Sequence, residues 1–280
     1  MDNYNSFSSW IREKFPFRIQ KISIDAGFSC PNRDGKVSSG GCSFCDNRTF
    51  NPSYCNRLLP IKAQIEEGKK FFARKYPNMK YMAYFQAFSN TYAPLDELRR
   101  KYEEALDCKD VMGIVIGTRP DCISDELLDY LEGLNRQTFL TIEYGIESTD
   151  DDTLRRINRG HDFRCSAEAI RRTAERGITT GGHIIIGLPG EDEGNIVRRG
   201  TRLADEFTEN PFHVFSVDEY IRTIGEYIRH LRRSIVIERF VSQSPKGMLI
   251  APDWGLKNYE FTNKLNNYLK RNNIFQGDAL

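Results

Sequence analysis

Cys30, Cys42 and Cys45 stand in one stretch, with eleven residues between the first two and two between the last pair. Two residues between cysteines let both sulfurs reach one metal centre from a single turn, and Gly40-Gly41 lets the backbone fold back towards it. Thiolates suit zinc or iron-sulfur clusters. A structural zinc site needs a fourth ligand, and neither Cys55 nor any of the four histidines has ligand spacing. Three cysteines without a fourth match a centre with an open position, the arrangement that catalysis requires. Spacing alone leaves an iron-sulfur cluster, zinc and free thiols open. A dithiol-disulfide pair at Cys42 and Cys45 is disfavoured, because the pair follows a Gly-rich loop instead of opening a helix after a strand.

The cysteines sit in a loop, Ala26 to Pro60, after a strand, Arg18 to Asp25, whose apolar and polar residues alternate. Ile61 to Tyr76 then reads as a helix, with Ile61, Ile65, Phe72 and Tyr76 at helical spacing. The order repeats through strand Tyr81 to Ala87, helix Leu95 to Leu106, strand Val111 to Gly117, helix Asp125 to Leu134, strand Thr138 to Tyr144, helices between Asp151 and Arg176, and strand Gly182 to Gly187. Ser124 is an N-cap candidate. Strands alternating with long helices predict right-handed crossovers and a parallel sheet, so the loops at the carboxyl ends of the strands converge on one site. Those loops carry Cys30, Gln86 to Tyr92, Thr118-Arg119-Pro120, Glu143 to Ser148 and Gly187-Leu188-Pro189-Gly190. Beyond Gly190 the reading is a helix Glu193 to Phe207, a helix Val217 to Arg233, a strand Ile235 to Phe240 and a helix Lys257 to Lys270.

Apolar residues make up 39 % of the 280 and charged residues 28 %, the balance of a globular protein. Forty basic against 39 acidic residues give no global field to draw in a polyanion. Two local basic groups exist, Lys69, Lys70, Arg74, Lys75 and Lys80, and Arg222, Arg229, His230, Arg232 and Arg233, each equally readable as a solvated helix face. No apolar run is long enough to span a membrane and no export signal opens the chain, which predicts a cytoplasmic protein with no membrane partner. Seven cysteines in that setting argue against a disulfide framework. Cys55 is either part of the site or a spare thiol, and Cys108, Cys122 and Cys165 read as buried thiols.

Ala26-Gly27-Phe28-Ser29-Cys30-Pro31-Asn32-Arg33-Asp34-Gly35 followed by Gly40-Gly41-Cys42-Ser43-Phe44-Cys45 resembles the bacterial radical S-adenosylmethionine (radical SAM) family of the YhcC/YtqA type, related to the catalytic subunit of Elongator. The likeness extends to Tyr84 to Ala93, Ile116 to Asp121, Ile157 to Asp162, His183 to Glu191 and Ala251 to Lys257. It implies an α/β fold, a partial (β/α) barrel of parallel strands over 1–210 with a C-terminal extension over 211–280. It further implies a [4Fe-4S] cluster on Cys30, Cys42 and Cys45, with SAM on the fourth iron. By the same resemblance Phe44 packs near the cluster and the adenine, Gln86 and Ala87 meet the SAM amino group through the backbone, Glu143 and Ser148 reach the ribose, and Arg159 meets the carboxylate. Phe44 equally reads as core filling and Arg159 as a surface residue.

In that family Gly-Leu-Pro-Gly-Glu is followed by a helix and a sixth strand, for which the seven residues Asp192 to Arg198 leave no room. Either the Glu193 to Phe207 helix stands in and Ile235 to Phe240 completes the sheet, or the barrel stops at five strands and exposes an edge. The resemblance implies a radical SAM enzyme that modifies the wobble uridine of transfer RNA, with an electron donor such as flavodoxin or ferredoxin. Tyr84, Phe88 and Tyr92 are aromatics for stacking on an unpaired base, and His161 and His183 are candidates to serve the substrate. The alternative is a non-enzymatic metal-binding interaction protein or a catalytically impaired relative. Oligomeric state has no signal in the sequence.

Overall fold

The computed structural model describes residues 3–47, 51–73, 78–191, 197–242 and 247–280. Arg74, Lys75 and Tyr76, and residues 193–196 of the expected Glu193 to Phe207 helix, lie outside the described residues. Two compact units emerge, one of residues 18–192 and one that joins Met1–Phe17 to Glu193–Leu280.

After α1 (Phe7–Lys14), which belongs to the second unit, the chain runs β1 (Ile19–Ile24), α2 (Ile61–Ala73), β2 (Lys80–Phe85), α3 (Leu95–Leu106), β3 (Val111–Thr118), α4 (Asp125–Asn135), β4 (Phe139–Glu147), α5 (Asp151–Arg156), α6 (Phe163–Glu175) and β5 (Thr179–Ile184). The five strands form one parallel sheet in the order β1-β2-β3-β4-β5, the architecture that the alternation of strands and helices predicts. Burial is nearly continuous along β2 and β3, as it is where both faces of a parallel sheet are covered. Ile22, Ile24, Phe85, Ile114, Ile116, Leu128, Leu140 and Ile142 make the centre of the core. Ser124 caps α4 by accepting from the Leu127 amide at 3.2 Å.

Three expectations are corrected. β5 begins at Thr179, and Ile185 to Gly187 leave the sheet after Ile184, with the Ile185 amide donating to the Glu147 carbonyl at 2.9 Å. The helix expected over Glu193 to Phe207 is replaced by β6 (Val197–Arg198) and α7 (Arg202–Glu209). Gly200, at φ +77°, breaks any helix there, and Thr201 starts a new one by accepting from the Ala204 amide at 3.2 Å. Ile235 to Phe240 forms no strand: only Ile237 makes an isolated bridge, to Ser6. Among the described residues the sheet ends at β5, where Gly182 and Ile184 are exposed, Ile184 by 58 %.

In the second unit β6 pairs antiparallel with β7 (Leu249–Ala251), and α8 (Val217–His230) packs on α9 (Asn258–Arg271). Gly225 makes that approach close, since a Cβ there would stand 2.9 Å from the Tyr268 ring. Tyr220, Trp254 and Phe261 pack as a trio of rings, with Trp254 and Phe261 stacked at 5.7 Å, and the Trp254 indole donates to the Phe215 carbonyl at 2.8 Å. The buried Gln276 ties the two chain segments together: its Oε1 accepts from the Asn5 amide at 2.8 Å, and its Nε2 donates to the Arg232 and Ile235 carbonyls at 2.8 and 2.9 Å. Among the described residues no helix is long and apolar enough to cross a membrane.

Candidate metal and cofactor site

The loop after β1 is folded by its own backbone. The Arg33 amide donates to the Cys30 carbonyl at 2.8 Å, Gly41 to Asn32 at 2.8 Å, Cys45 to Cys42 at 3.1 Å, and Ser43 to Ile157 at 2.9 Å, which ties the loop to the turn after α5. Gly41 has φ +80°, and the Arg33 guanidinium comes within 3.0 Å of where a Cβ would be. Only glycine allows both. Asn158, itself at φ +57°, donates its side-chain amide to the Gly41 carbonyl at 2.9 Å.

This folding brings the three predicted cysteines together. Cys42 is buried, Cys30 and Cys45 are partly exposed, and each sulfur lies within electrostatic reach of the other two. Burial pushes the Cys30 thiol up, and burial together with the Cys42 sulfur pushes the Cys45 thiol up to about 11. Both are therefore protonated at neutral pH until a metal displaces the protons. Among the described residues no three His, Cys, Asp or Glu side chains close on a single ion.

Donors surround the sulfurs. Asn32 Nδ2 stands 3.4 Å from Cys42 Sγ and Arg159 Nη1 3.6 Å from it. Arg33 donates Nη2 to the Cys45 carbonyl at 2.8 Å, which puts its charge within electrostatic reach of the Cys45 sulfur. Arg159 is 5 % exposed, its Nη2 donates to the Gly145 carbonyl, and the Glu147 carboxylate lies 3.7 Å away. A Cβ at Gly145 would crowd the Glu147 carboxylate and Arg159 Nη2, so a side chain there would displace both. The Nε of Arg159 and Nη1 of Arg119 are buried without a hydrogen-bond partner. Three guanidiniums beside three sulfurs, two with unused N–H groups, fit a centre that carries negative charge on thiolates.

The other predicted residues fall into separate clusters at the strand ends. Gln86 and Ala87 leave β2, where Gln86 Oε1 accepts from Ser23 Oγ at 3.3 Å and Ala87 is buried. Glu143, on β4, is 4 % exposed and accepts from Lys21 Nζ at 2.7 Å, Tyr84 OH at 2.7 Å and His183 Nε2 at 2.9 Å. Burial alone would raise its pKa, but the His183 hydrogen bond and the Lys21 ammonium hold it well below the usual carboxylate range. Ser148 donates to Glu191 Oε1 at 2.5 Å, while Glu191 Oε2 accepts the amides of Gly187 and Leu188 at 3.1 and 3.0 Å, fixing the Gly187-Leu188-Pro189-Gly190 turn. Phe44 packs against the apolar cluster of Leu154, Ile157 and Leu188. Cys55 is engaged elsewhere, donating to the Ser23 carbonyl at 3.0 Å. Cys122 and Cys165 are partly exposed, and burial pushes the Cys122 thiol up to about 12. Sequence reasoning gave no role to Lys21, Asn32, Arg119 or Asn158. The available signals were a lysine inside an alternating strand and an arginine two residues before an aspartate in a strand-end loop.

Comparison with known proteins places these features. Residues 34–198 match the Radical SAM superfamily and residues 195–271 the Radical_SAM C-terminal domain. The chain is similar to uncharacterized protein YtqA of Bacillus subtilis, 32 % identical across 98 % of this chain and 92 % of that protein, and to protein YhcC of Escherichia coli K12, 30 % identical across 99 % and 95 %. Among solved structures, the archaeal Elp3 of Methanocaldococcus infernus with an N-terminal deletion superposes with a TM-score of 0.64 at 15 % identity, covering 92 % of this chain and 64 % of that one, a likeness of fold.

Proposed function

Because this chain belongs to the radical SAM superfamily, and is thus a radical SAM enzyme, we propose that Cys30, Cys42 and Cys45 hold its [4Fe-4S] cluster and that its substrate is transfer RNA, at the wobble uridine. The observation that carries the cluster assignment is the convergence of three cysteine sulfurs with the guanidiniums of Arg33, Arg119 and Arg159 at the carboxyl ends of the strands. Bound there, the cluster and SAM supply a 5′-deoxyadenosyl radical able to remove hydrogen from a substrate.

The chain's own residues prepare that chemistry. Arg33 and Arg159 offset the charge of Cys45 and Cys42. Arg159, clamped between Cys42 and Gly145, presents its remaining N–H to a carboxylate, the group we assign to SAM. Ser148 and Glu191 hold the Gly187–Gly190 turn and its backbone for the nucleoside, and the backbone of Gln86 and Ala87 meets the SAM amino group. Phe44, between Cys42 and Cys45 in sequence, packs its ring on Leu154, Ile157 and Leu188 and covers the cysteine turn with apolar surface. Glu143 holds His183 by its Nε2 at 2.9 Å and leaves that side chain 38 % exposed, a candidate to serve the substrate.

The support for transfer RNA is narrower. Lys69 and Lys70 are paired with Glu66 and Glu67 at 2.7 and 2.6 Å, Lys80 with Asp110, and Arg229 with Asp278 at 2.9 Å, so much of the two basic groups is already neutralised. What remains is aromatic: Lys36 lies 5.3 Å over the Tyr92 ring and Arg57 5.5 Å over Phe88, cation-capped rings beside the cysteine loop suited to an unpaired base. The family resemblance to Elongator's catalytic subunit points the same way. An electron donor such as flavodoxin or ferredoxin completes the reading.

The test is anaerobic purification, iron and sulfide analysis, then dithionite and SAM with and without total transfer RNA. The expected result is a brown protein that forms 5′-deoxyadenosine, loses this on Cys42→Ala, and forms it faster with transfer RNA. Unchanged turnover with transfer RNA sinks the substrate; protein that no reconstitution can load with iron sinks the cluster assignment.

A further inference from the structure

The loop after β3 carries an arginine that neither the cluster ligation nor the SAM contacts use. Arg119 is 3 % exposed. Its Nε and Nη2 donate to the two carboxylate oxygens of Asp121 at 2.8 and 2.7 Å, and Nη2 also donates to the Arg159 carbonyl at 2.8 Å. This two-pronged clamp fixes the plane of the guanidinium. The third terminus, Nη1, is buried with no hydrogen-bond partner. Burial would disfavour the charge, yet the hydrogen-bonded Asp121 carboxylate keeps it charged. Polar groups are rarely left buried and unmatched, and those that are call for an acceptor. Geometry ties Arg119 to the cysteines through Arg159, whose carbonyl accepts from Arg119 Nη2 at 2.8 Å and whose own Nη1 stands 3.6 Å from Cys42 Sγ.

We propose that Arg119 is a positioning residue of the metal centre, its guanidinium held by the Asp121 clamp and by the carbonyl of Arg159, the residue whose Nη1 meets Cys42, and that this buried charge raises the reduction potential of the cluster bound there. This rests on the reading of Cys30, Cys42 and Cys45 as the cluster ligands. Reduction adds one electron, delivered by dithionite in the test, and one unit of negative charge to the cluster and its thiolates. An N–H donor carrying positive charge, already in place, stabilises the reduced form more than the oxidised one. Lysine keeps the charge but cannot take the fork, so it restores only part of the effect.

The experiment is a redox titration with dithionite, without SAM or substrate, following the reduced cluster by electron paramagnetic resonance in the wild type, Arg119→Gln and Arg119→Lys. The expected result is an equilibrium constant for one-electron reduction at least tenfold lower in Arg119→Gln, a shift of about 59 mV to lower potential, with Arg119→Lys between the two. A purely structural arginine would lower the thermal midpoint and leave the potential in place. Should Arg119→Gln hold no cluster, the comparison of Arg119→Lys with the wild type decides. A cluster-loaded variant with an unshifted potential overturns the proposal and leaves the cysteine assignment standing, whereas a wild type that loads no cluster overturns the cysteine assignment first.

Discussion

Glu143 brings together charges from three strands, and its removal should be felt as a stability defect as well as a functional one. Glu143→Gln takes the carboxylate from Lys21 and His183 in a buried place, and the expected loss is about 3 kcal/mol, read as a lower urea midpoint. Its depressed pKa adds stability that is fully present above the ordinary carboxylate range and fades as pH falls below about 4. His161 gives a second, separable pH signal. Burial, and then the Arg159 charge, lowers its pKa to about 4 from the ordinary 6.5 of histidine. The unfolded chain therefore binds the proton first, and stability is lost as pH falls from about 6.5 to about 4. The expected size is about 2 kcal/mol after screening, and His161→Gln should flatten the profile in that window while leaving the lower one. At this scale the sequence was legible where chemistry demands a spacing, as at Cys30, Cys42 and Cys45. It was illegible where a role depends on which atoms remain unpaired, as with Arg119 Nη1, because no spacing rule reports hydrogen bonds still to be made.

Two helix glycines make opposite predictions. Gly68 in α2 packs on β1, where a Cβ would stand 2.5 Å from Ile22 Cγ2 and 3.2 Å from the Tyr54 ring. Gly133 in α4 has nothing within 4 Å of that position. Gly133→Ala should thus gain about 0.5–1 kcal/mol from helix propensity, and Gly68→Ala should lose about 1–3 kcal/mol to overpacking. Thermal midpoints of the two variants would separate in opposite directions. The strand-helix alternation was readable in the sequence because burial on both faces of a parallel sheet writes long apolar runs. Where a run is short the reading failed. Ile235 to Phe240 has the composition of a strand but only Ile237 finds a bridge, and β5 lies three residues earlier than its Gly-bounded run suggests, because Thr179 and Thr180 pair with Thr141 and Ile142 on β4.

The two segments of the second unit meet at Gln276. Gln276→Ala would strand the Asn5 amide and two carbonyls, at a cost of about 2–4 kcal/mol. Both tryptophans, Trp10 and Trp254, belong to this unit, so their fluorescence should report its earlier melting while brown absorbance of the loaded protein persists to higher denaturant. Coincident loss of both signals would count against independent units.

The pairing of Asn5 with Gln276, 271 positions apart, also sets an order for synthesis on the ribosome. The stretch from β1 to β5 is complete, cysteine loop included, well before the partner of the first residues exists. At about 5–20 residues per second, Asn5 waits roughly 15–55 s for Gln276. The unit from β1 to β5 is therefore free to fold while the opening segment is still without its partner and available to chaperones.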